Sequence, residues 1–540
     1  MRTLILSVSL AVASFGAPQR FDVVVYGGTA GGAIAAVSAA REGLKTALLE
    51  PTTHIGGMVS GGLGLTDFGK KEVIGGYAFE FYLRVGRHYG MERYGNGGAW
   101  YVEPHVGEAI LLEMLKESGV AVFLNHRLKE QDGVLKHGRE IQEIRLENGA
   151  AFSAKIFIDS SYEGDLMAQA GVAYTYGREG SAQYGESLAG VRARTPFHQF
   201  LVDVPAKDAD GKLLREISTR SLPAAGTADK AVQAYNFRMC FSEVPENRVA
   251  FAPPEGYDPR RYALFARLLA ARVASEGRVP VLDSVIKVDR IPKGKADINN
   301  NGAFSTDFIG GSWDYPDASY ARKALIWQEH KDYVQGFFYF LASDPQVPAA
   351  LRQEMNGWGL CRDEFTDSGN WPRQLYIRES RRMLGEYVLV QKDMQTELAK
   401  PDPVGMGSYN SDSHNVERIV EARGFVRNEG DMQVEVKPYQ LPYRLMLPKP
   451  EQAANLLVPV AFSASHVAYS SARMEPQYMI LGQAAGVAAS LAISGGSPVQ
   501  EIAVAKLIAK LRQQGAVMEY IPSPQEPAIR LFELRERNRH

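Results

Sequence analysis

Cysteine is the residue that this chain has least of, with Cys240 and Cys361 as the two in 540 residues. Two sulfurs cannot hold an iron–sulfur cluster, which needs about four ligands, and no Cys/His spacing indicates zinc. We therefore predict no metal site. Two cysteines far apart in sequence are typical of small buried apolar residues, although an oxidising compartment would permit a disulfide between them.

The chain also lacks a charge excess, since 60 Lys and Arg residues stand against 62 Asp and Glu residues. No basic stripe stands out, so we expect no nucleic-acid partner. The sequence has no internal repeats and no low-complexity tracts. Hydrophobic residues make up 45% of the chain and charged residues 23%, which is typical of globular proteins.

Long apolar runs are missing outside the N-terminus. Met1 and Arg2 are followed by an apolar run, residues 3–13, and by small residues around 11–16. This pattern is typical of a secretory signal peptide, which we place at residues 1–17, and the run is too short for a permanent anchor. We predict an exported protein, periplasmic or extracellular, with no membrane span in the mature chain. A disordered or buried N-terminal strand is the alternative.

The most informative pattern is at residues 21–50, where a strand, a glycine turn, an Ala-rich helix and a second strand ending in an acid follow one another. The ADP half of a dinucleotide requires this order. Backbone N–H groups of the turn Gly27–Gly32 can approach a pyrophosphate, and the helix N-terminus adds a partial positive charge. Glu50, 23 residues after Gly27, can accept hydrogen bonds from ribose hydroxyls. We therefore predict dinucleotide binding.

The turn departs from the usual G-x-G-x-x-G spacing. Gly27 and Gly32 fit the outer positions, but Thr29 stands at the middle one. Either Gly28 takes the close-approach role, or the Thr29 hydroxyl donates a hydrogen bond to a phosphate. The predicted dinucleotide contacts of this unit are Gly27, Gly28, Thr29, Ala30, Gly31, Gly32, Glu50 and Pro51.

Other elements follow from periodicity. Apolar spacing predicts a helix over 106–118, and alternation on both sides of Asn148 and Gly149 predicts a hairpin. The aromatic residues from Trp327 to Phe340 predict a helix that belongs to the core. Towards the C-terminus we predict a strand over 455–460, a helix rich in small residues over 475–493, and a surface helix over 500–513.

Six segments carry a family resemblance: Tyr26–Gly32, His54–Gly64, Asp159–Asp165, Leu375–Arg382, Gly407–His414 and Leu456–Gly486. With them the chain resembles the FAD-dependent oxidoreductases of the glutathione-reductase type, in a secreted branch. The resemblance implies an α/β fold, in which a Rossmann-like FAD-binding domain with a parallel sheet and a β-meander carries an inserted α+β cap or substrate domain. We place the FAD-binding domain at 18–180 and 441–499, the cap at 181–440 and a helical tail at 500–540.

The resemblance also implies further cofactor contacts. The glycine loop after Glu50 would run toward the flavin ring, and the last helix would point its N-terminus at the flavin. Asp165 would either accept a hydrogen bond from the ribityl chain or cap the following helix. Arg473 would pair with the flavin, with a substrate anion or with Glu475. These additional contacts are Gly56, Gly57, Met58, Ser60, Gly61, Gly62, Leu128, Asp159, Asp165, Arg473, Met474, Gly482 and Gln483.

Oxidation of a C–H bond by flavin usually needs a base that takes the alcohol or amine proton. His466 is the first candidate because it lies in the loop before the flavin-facing helix. His414, with Asp412 two residues earlier, is the second.

An arginine cluster could hold a substrate carboxylate. Arg378 and Arg381 are the candidates, together with Arg382, and on a helix Arg378 and Arg382 would share a face.

We expect an enzyme that transfers hydride from a small polar substrate to FAD, with a carbohydrate-derived compound as one candidate and an unknown electron acceptor. A non-redox lyase or isomerase that acts on saccharides and keeps the flavin is an alternative. An electron-transfer subunit is another, although the low cysteine count speaks against it.

Overall fold

A computed structural model of the protein describes residues 17–93 and 96–522. Residues 1–16 of the predicted signal peptide and residues 523–540 of the predicted tail lie outside the described residues.

The main sheet has seven strands with the N-terminal strand near its centre. In spatial order they are Ala121–Phe123, Thr46–Leu49, Gln19–Tyr26, Ala151–Asp159, Glu140–Arg145 and Val134–His137, with Leu456–Leu457 also paired to Ala151–Asp159. Glu140–Arg145 pairs antiparallel with both of its neighbours, Ala151–Asp159 and Val134–His137, and the other pairs are parallel. The predicted α/β fold, with its parallel sheet and antiparallel meander, is confirmed.

The register of the sheet decides where the loops leave it. Tyr26 pairs with Leu49 on one side and with Asp159 on the other. The glycine turn, Glu50 and the segment after Asp159 therefore all leave the same edge, which is the carboxyl edge where ligands bind in open parallel sheets.

Two helices far apart in sequence pack closely on one face of this sheet: Ala30–Arg41 and Glu475–Gly495. A Cβ added to Gly482 would lie 2.2 Å from the carbonyl oxygen of Gly31, and one added to Gly486 would lie 2.5 Å from the Cβ of Ser38. The small residues of the second helix are therefore needed for close backbone approach. Glu475–Gly495 is long and apolar enough to cross a membrane, but it is mostly buried, as expected for a core helix.

The middle of the chain adds a second sheet and several hairpin-like pairs. The five-stranded sheet has the order Ile286–Ile291, Lys295–Asn300, Met239–Ser242, Gly359–Cys361 and Arg248–Val249. The two-stranded pairs are Tyr174–Thr175 with Arg382–Met383, Pro403–Gly407 with Tyr439–Pro442, Ser411–Ser413 with Met432–Val434, and Glu417–Val420 with Val426–Glu429. The remaining α-helices are Gly76–His88, Pro104–Glu117, Asp165–Gln169, Ser181–Tyr184, Ala263–Glu276, Tyr320–Ser343, Ala349–Asn356, Gln391–Gln395, His466–Ala472 and Val504–Gln513.

Most elements predicted from periodicity are present, with shifted ends. The hairpin turns at Asn148 and Gly149, where the positive φ of +83° at Gly149 suits glycine. The strand predicted over 455–460 is reduced to Leu456–Leu457, and the helix predicted from 500 begins at Val504. Cys240 and Cys361 are buried and unbridged, as predicted for apolar residues.

Candidate functional site

The glycine turn is fixed by contacts within the protein. Gly27 has a φ of +95°, and a Cβ there would lie 2.6 Å from the amide nitrogen of Ser161. Thr29 caps the first helix: its hydroxyl accepts a hydrogen bond from the Gly32 amide (3.1 Å) and donates one to the Ser160 carbonyl (2.9 Å). The hydroxyl proton is thus already engaged, which corrects the alternative that Thr29 donates to a phosphate.

Glu50 is 8% exposed and lies directly beside this turn. Its carboxylate accepts hydrogen bonds from the amides of Gly28 and Thr52, both at 2.7 Å. A Cβ on Gly28 would lie 2.9 Å from the carboxylate, so the close contact with Glu50 requires glycine here. The approach of Gly28 to a pyrophosphate stays a prediction. Burial raises the pKa of Glu50 above its ordinary value.

A cavity of about 500 Å³ opens at this edge of the sheet. Its sheet side is formed by the glycine turn, Glu50, Pro51 and Arg127, and its opposite side by the helix Tyr320–Ser343. The lining residues include Tyr26, Gly27, Thr29, Glu50, Pro51, Arg127, Tyr162, Asp165, Tyr320, Lys323, Trp327 and Arg373. This volume lies in the range of small-molecule and cofactor sites.

Two sequence predictions change at this cavity. Trp327, predicted as a core residue, is half-buried and lines the cavity, whereas Tyr333 and Phe337 on the same helix are buried as predicted. Leu128, predicted to contact the cofactor, is buried and does not line the cavity; its amide donates to the hydroxyl of Tyr26 at 3.0 Å.

Tyr162 joins the glycine loop to the start of the last long helix. Its hydroxyl accepts a hydrogen bond from the Met58 amide (2.9 Å) and donates one to Glu475 (2.6 Å). A Cβ on Gly57 would lie 2.4 Å from this hydroxyl. Met58 and Gly57 of the predicted loop contacts are thus held near the helix N-terminus through Tyr162. The other predicted loop contacts are Gly56, Ser60, Gly61 and Gly62, of which Gly61 lies against Gln374 and Gly62 against Arg238.

Asp159 and Asp165, at the end of the strand Ala151–Asp159 and just after it, make hydrogen bonds and ion pairs within the protein. Asp159 accepts hydrogen bonds from the amides of Ser161 (3.0 Å) and Met167 (2.7 Å), which fixes the turn at the sheet edge. Asp165 is the first residue of its helix, and its carboxylate pairs with Arg381 (2.8 Å) and Lys323 (3.3 Å). The N-cap residue of this helix is Gly164, which corrects the predicted capping role of Asp165. Asp165 lines the cavity at the sheet edge, and its contact with the ribityl chain stays a prediction.

Gly482 and Gln483 were predicted to contact the cofactor, but they have packing roles. Gly482 lies against the first helix at Gly31. Gln483 accepts a hydrogen bond from the Tyr77 amide and donates one to Gln514, both at 2.9 Å. The side chain of Gln483 therefore joins this helix to Tyr77 and Gln514, and Met474 is the N-cap residue of the helix.

His414 lies in a buried polar cluster, of which the sequence predicted some members but not the main partner of His414. Its Nδ1 is 2.7 Å from the carboxylate of Asp307, while the predicted partner Asp412 is 3.8 Å from its Nε2. Arg378 forms an ion pair with Asp307 at 3.0 Å. Burial alone would raise the pKa of Asp307, but the charges of Arg378 and His414 lower it to about 2, so Asp307 is ionised at neutral pH.

The predicted arginine cluster is separated in the structure. The segment from 375 to 382 is not helical, so Arg378 and Arg382 do not share a helix face. Arg381 pairs with Asp165 and Asp317, and Arg382 pairs with Glu179 and Glu379. We therefore retain Arg378 as a site residue and assign Arg381 and Arg382 to structural ion pairs.

His466, the first sequence candidate for the base, has partners at both ring nitrogens. Nδ1 is 2.7 Å from Glu379 and Nε2 is 3.2 Å from the hydroxyl of Ser413. The side chain of His466 is 4% exposed. His466 is thus held inside the protein and has less freedom than His414 to contact a substrate.

Several buried polar atoms near His414 and at the helix N-terminus lack partners within the described part of the chain. They are Nε of Arg378, Nε of Arg473, both carboxylate oxygens of Asp431 and Oε2 of Glu475. Unpaired buried groups of this kind are unfavourable unless a ligand or water satisfies them. Sequence reasoning missed Asp307 and Asp431, because nothing in the local pattern links them to His414.

The chain matches the profile of FAD dependent oxidoreductases over residues 22–511. It belongs to the FAD-dependent oxidoreductase family. FAD is therefore its cofactor, and the predicted enzyme class is confirmed. A comparison with curated proteins finds no match.

Solved flavoprotein structures are similar at low identity. A geranylgeranyl bacteriochlorophyll reductase-like protein from Thermoplasma acidophilum is 12% identical, with 93% of this chain and 85% of that chain covered and a TM-score of 0.36. OxyS anhydrotetracycline hydroxylase from Streptomyces rimosus is 14% identical over 34% of this chain and 42% of that chain, with a TM-score of 0.22. Thioredoxin reductase from T. acidophilum is 20% identical over 26% of this chain and 34% of that chain, with a TM-score of 0.17. The matched region spans less than half of the hydroxylase and of the thioredoxin reductase.

The described residues fit FAD. The cavity at the carboxyl edge would take the ADP half, with Glu50 at the ribose and the turn Gly27–Gly32 at the pyrophosphate. Met58 of the glycine loop lies at the N-terminus of the last long helix through Tyr162, and the unpaired Oε2 of Glu475 there is available to the flavin end.

Glu50→Gln should lower FAD retention by about tenfold or more, because an amide replaces the acceptor that the ribose needs and donates toward the Gly28 amide. The measurement is the flavin-to-protein absorbance ratio after gel filtration. Glu140→Gln, on an exposed strand residue of the same sheet, is the control. An unchanged ratio in Glu50→Gln would contradict the ribose contact.

Asp431 gives a pH prediction. Burial, with the charge of Asp412 next, raises the pKa of Asp431 to about 8, against about 3.9 in an unfolded chain. The folded state therefore binds the extra proton, and this contribution to stability is lost as pH rises through about 8.

Asp431→Asn removes the titration, so its melting temperature should fall less than that of the wild type between about pH 6 and about pH 9. Asp203→Asn, an exposed carboxylate, is the control. Parallel curves for the wild type and Asp431→Asn would refute the assigned protonation.

Proposed function

We propose that the protein oxidises a small polar substrate, with carbohydrate-derived compounds as the first class to screen. The support is the pair of His414 and Asp307, which places a histidine with a fixed tautomer beside buried arginines. Export through residues 1–17 is part of this proposal and rests on the sequence alone.

His414 is the proton acceptor in this proposal. Asp307 stays ionised and accepts a hydrogen bond from Nδ1–H of His414, which leaves Nε2 as the basic nitrogen. Nε2 can then take the proton of a substrate hydroxyl or amine. FAD, when bound, supplies the hydride-accepting chemistry.

The surroundings of His414 orient it. The His414 amide donates a hydrogen bond to the side chain of Gln233 at 3.0 Å, and the ring of His198 stacks on that of His414 with centroids 6.1 Å apart. Burial and the neighbouring His414 lower the pKa of His198, which favours a neutral ring beside the base. A neutral His198 does not repel the positive charge that His414 gains when it accepts a proton.

His466 is a positioning residue in this proposal. Glu379 forms ion pairs with both His466 and Arg382. The side-chain amide of Gln233 donates a hydrogen bond to Glu379, and its oxygen accepts one from the backbone amide of His414. His466 therefore acts on the site through Glu379 and Gln233, and it is not expected to contact the substrate.

His414→Asn should slow flavin reduction by about 10² to 10⁴, because the base is removed. Asp307→Asn should slow it less, because the base remains without its fixed tautomer. His466→Asn should change the rate by less than about tenfold, because His466 acts on the site only through Glu379 and Gln233. The measurement is anaerobic bleaching of the visible flavin band by a substrate found in a screen of sugars, polyols and sugar acids.

The rates of flavin reduction are compared at equal FAD content. A melting curve of each variant shows whether it is folded. If His414→Asn reduces the flavin at the wild-type rate while His466→Asn does not, the roles of the two histidines are reversed. Turnover of a saccharide without bleaching would instead support the lyase alternative.

A further inference from the structure

Two buried arginines meet at one tyrosine ring. Arg378 is 1% exposed and Arg473 is 3% exposed. Their guanidinium carbons lie 4.7 Å and 5.8 Å from the ring centroid of Tyr376, and Nη1 of Arg473 donates to the Tyr376 hydroxyl at 3.2 Å. Two cations thus lie side by side around one side chain.

The two arginines differ in how their charges are compensated. Arg378 has an ion pair with Asp307. Arg473 donates from Nη2 to the carbonyl oxygen of Asp412 at 2.9 Å, and it has no ion pair within 4 Å in the described part of the chain. An unpaired guanidinium inside a protein is unfavourable, because its hydration is lost without a counter-charge.

Two further acids, Asp412 and Asp431, lie near the arginines. The carboxylate of Asp412 is 21% exposed and lies 3.8 Å from His414. Asp431 is fully buried without a hydrogen-bond partner among the described residues, and burial raises its pKa to about 8, so it is mostly neutral at pH 7. The cluster therefore holds two guanidinium groups beside the carboxylates of Asp307 and Asp412, and Nε of both arginines keeps an unused N–H donor.

We propose that this cluster binds the carboxylate of the substrate, so that the substrate is a hydroxy acid or a sugar acid. The proposal rests on the proposed function, because it places the carboxylate next to the hydroxyl whose proton His414 accepts. Guanidinium groups match carboxylates in shape and charge. The Nε–H groups of Arg378 and Arg473 are the donors that have no other partner.

The test measures binding of the ligand and does not depend on turnover. FAD-loaded protein is titrated anaerobically with glucuronate and with glucose, and with lactate and with 1,2-propanediol, while shifts of the visible flavin band are recorded. At least one acid should bind about tenfold or more tightly than its neutral counterpart, as expected for charged hydrogen bonds. Equal binding of acid and neutral partner, or no shift with either acid, would overturn the proposal.

Variants identify the donors. Arg378→Gln and Arg473→Gln should each weaken binding of the acid by about tenfold while binding of the neutral counterpart changes little. Arg423→Gln, on an exposed arginine, is the control. If Arg473→Gln loses FAD instead, Arg473 serves the cofactor and the proposal fails for that residue. A wild-type protein that binds acids but is reduced by none of them would count against the proposed oxidation and leave the carboxylate site in place.

Discussion

The close packing of the helices Ala30–Arg41 and Glu475–Gly495 is the constraint on which the site depends. Gly31 meets Gly482, and the Ser38 hydroxyl donates to the carbonyl of Gln483, which is 445 residues away in sequence. Larger residues at these glycines would force the helices apart. The contact brings Glu475–Gly495 against Ala30–Arg41, so that the N-terminus of the late helix lies near Met58 of the glycine loop.

Tyr162 makes this connection specific at the sheet edge. It contacts Met58 of the glycine loop and Glu475 of the late helix, and it leaves the same strand end as the Asp159 turn. The Tyr162 hydroxyl thus connects its own segment to the glycine loop and to the late helix, which are far apart in sequence. Buried ion pairs at Asp307, Glu379 and Asp165 then position the histidines and arginines; removing one partner of such a pair would leave an uncompensated charge.

Local chemistry explains which features could be predicted from the sequence. The glycine turn, the acid at Glu50 and the hairpin at Gly149 depend on neighbouring residues, so their patterns are readable along the chain. Family resemblance brought His414, Arg378 and Arg473 into consideration. The partner of His414 was not predictable, because Asp307 is 107 residues away and lies in no recognisable motif.

The errors have physical causes as well. Arg378 and Arg382 were grouped because they are close in sequence and would share a face on a helix. The segment is not helical, and the two side chains pair with different acids. Gly482 and Gln483 were assigned to the flavin because they belong to the flavin-facing helix, but small residues on that helix serve its contact with the first helix. Domain boundaries and export remain predictions.

The visible absorption spectrum of the purified native protein, with identification of the flavin released on denaturation, tests the central claim most directly. The two ends of the chain together should retain FAD, so the protein should be yellow and release FAD in a ratio of about one per chain. A colourless protein that stays colourless after incubation with excess FAD and gel filtration would contradict the account.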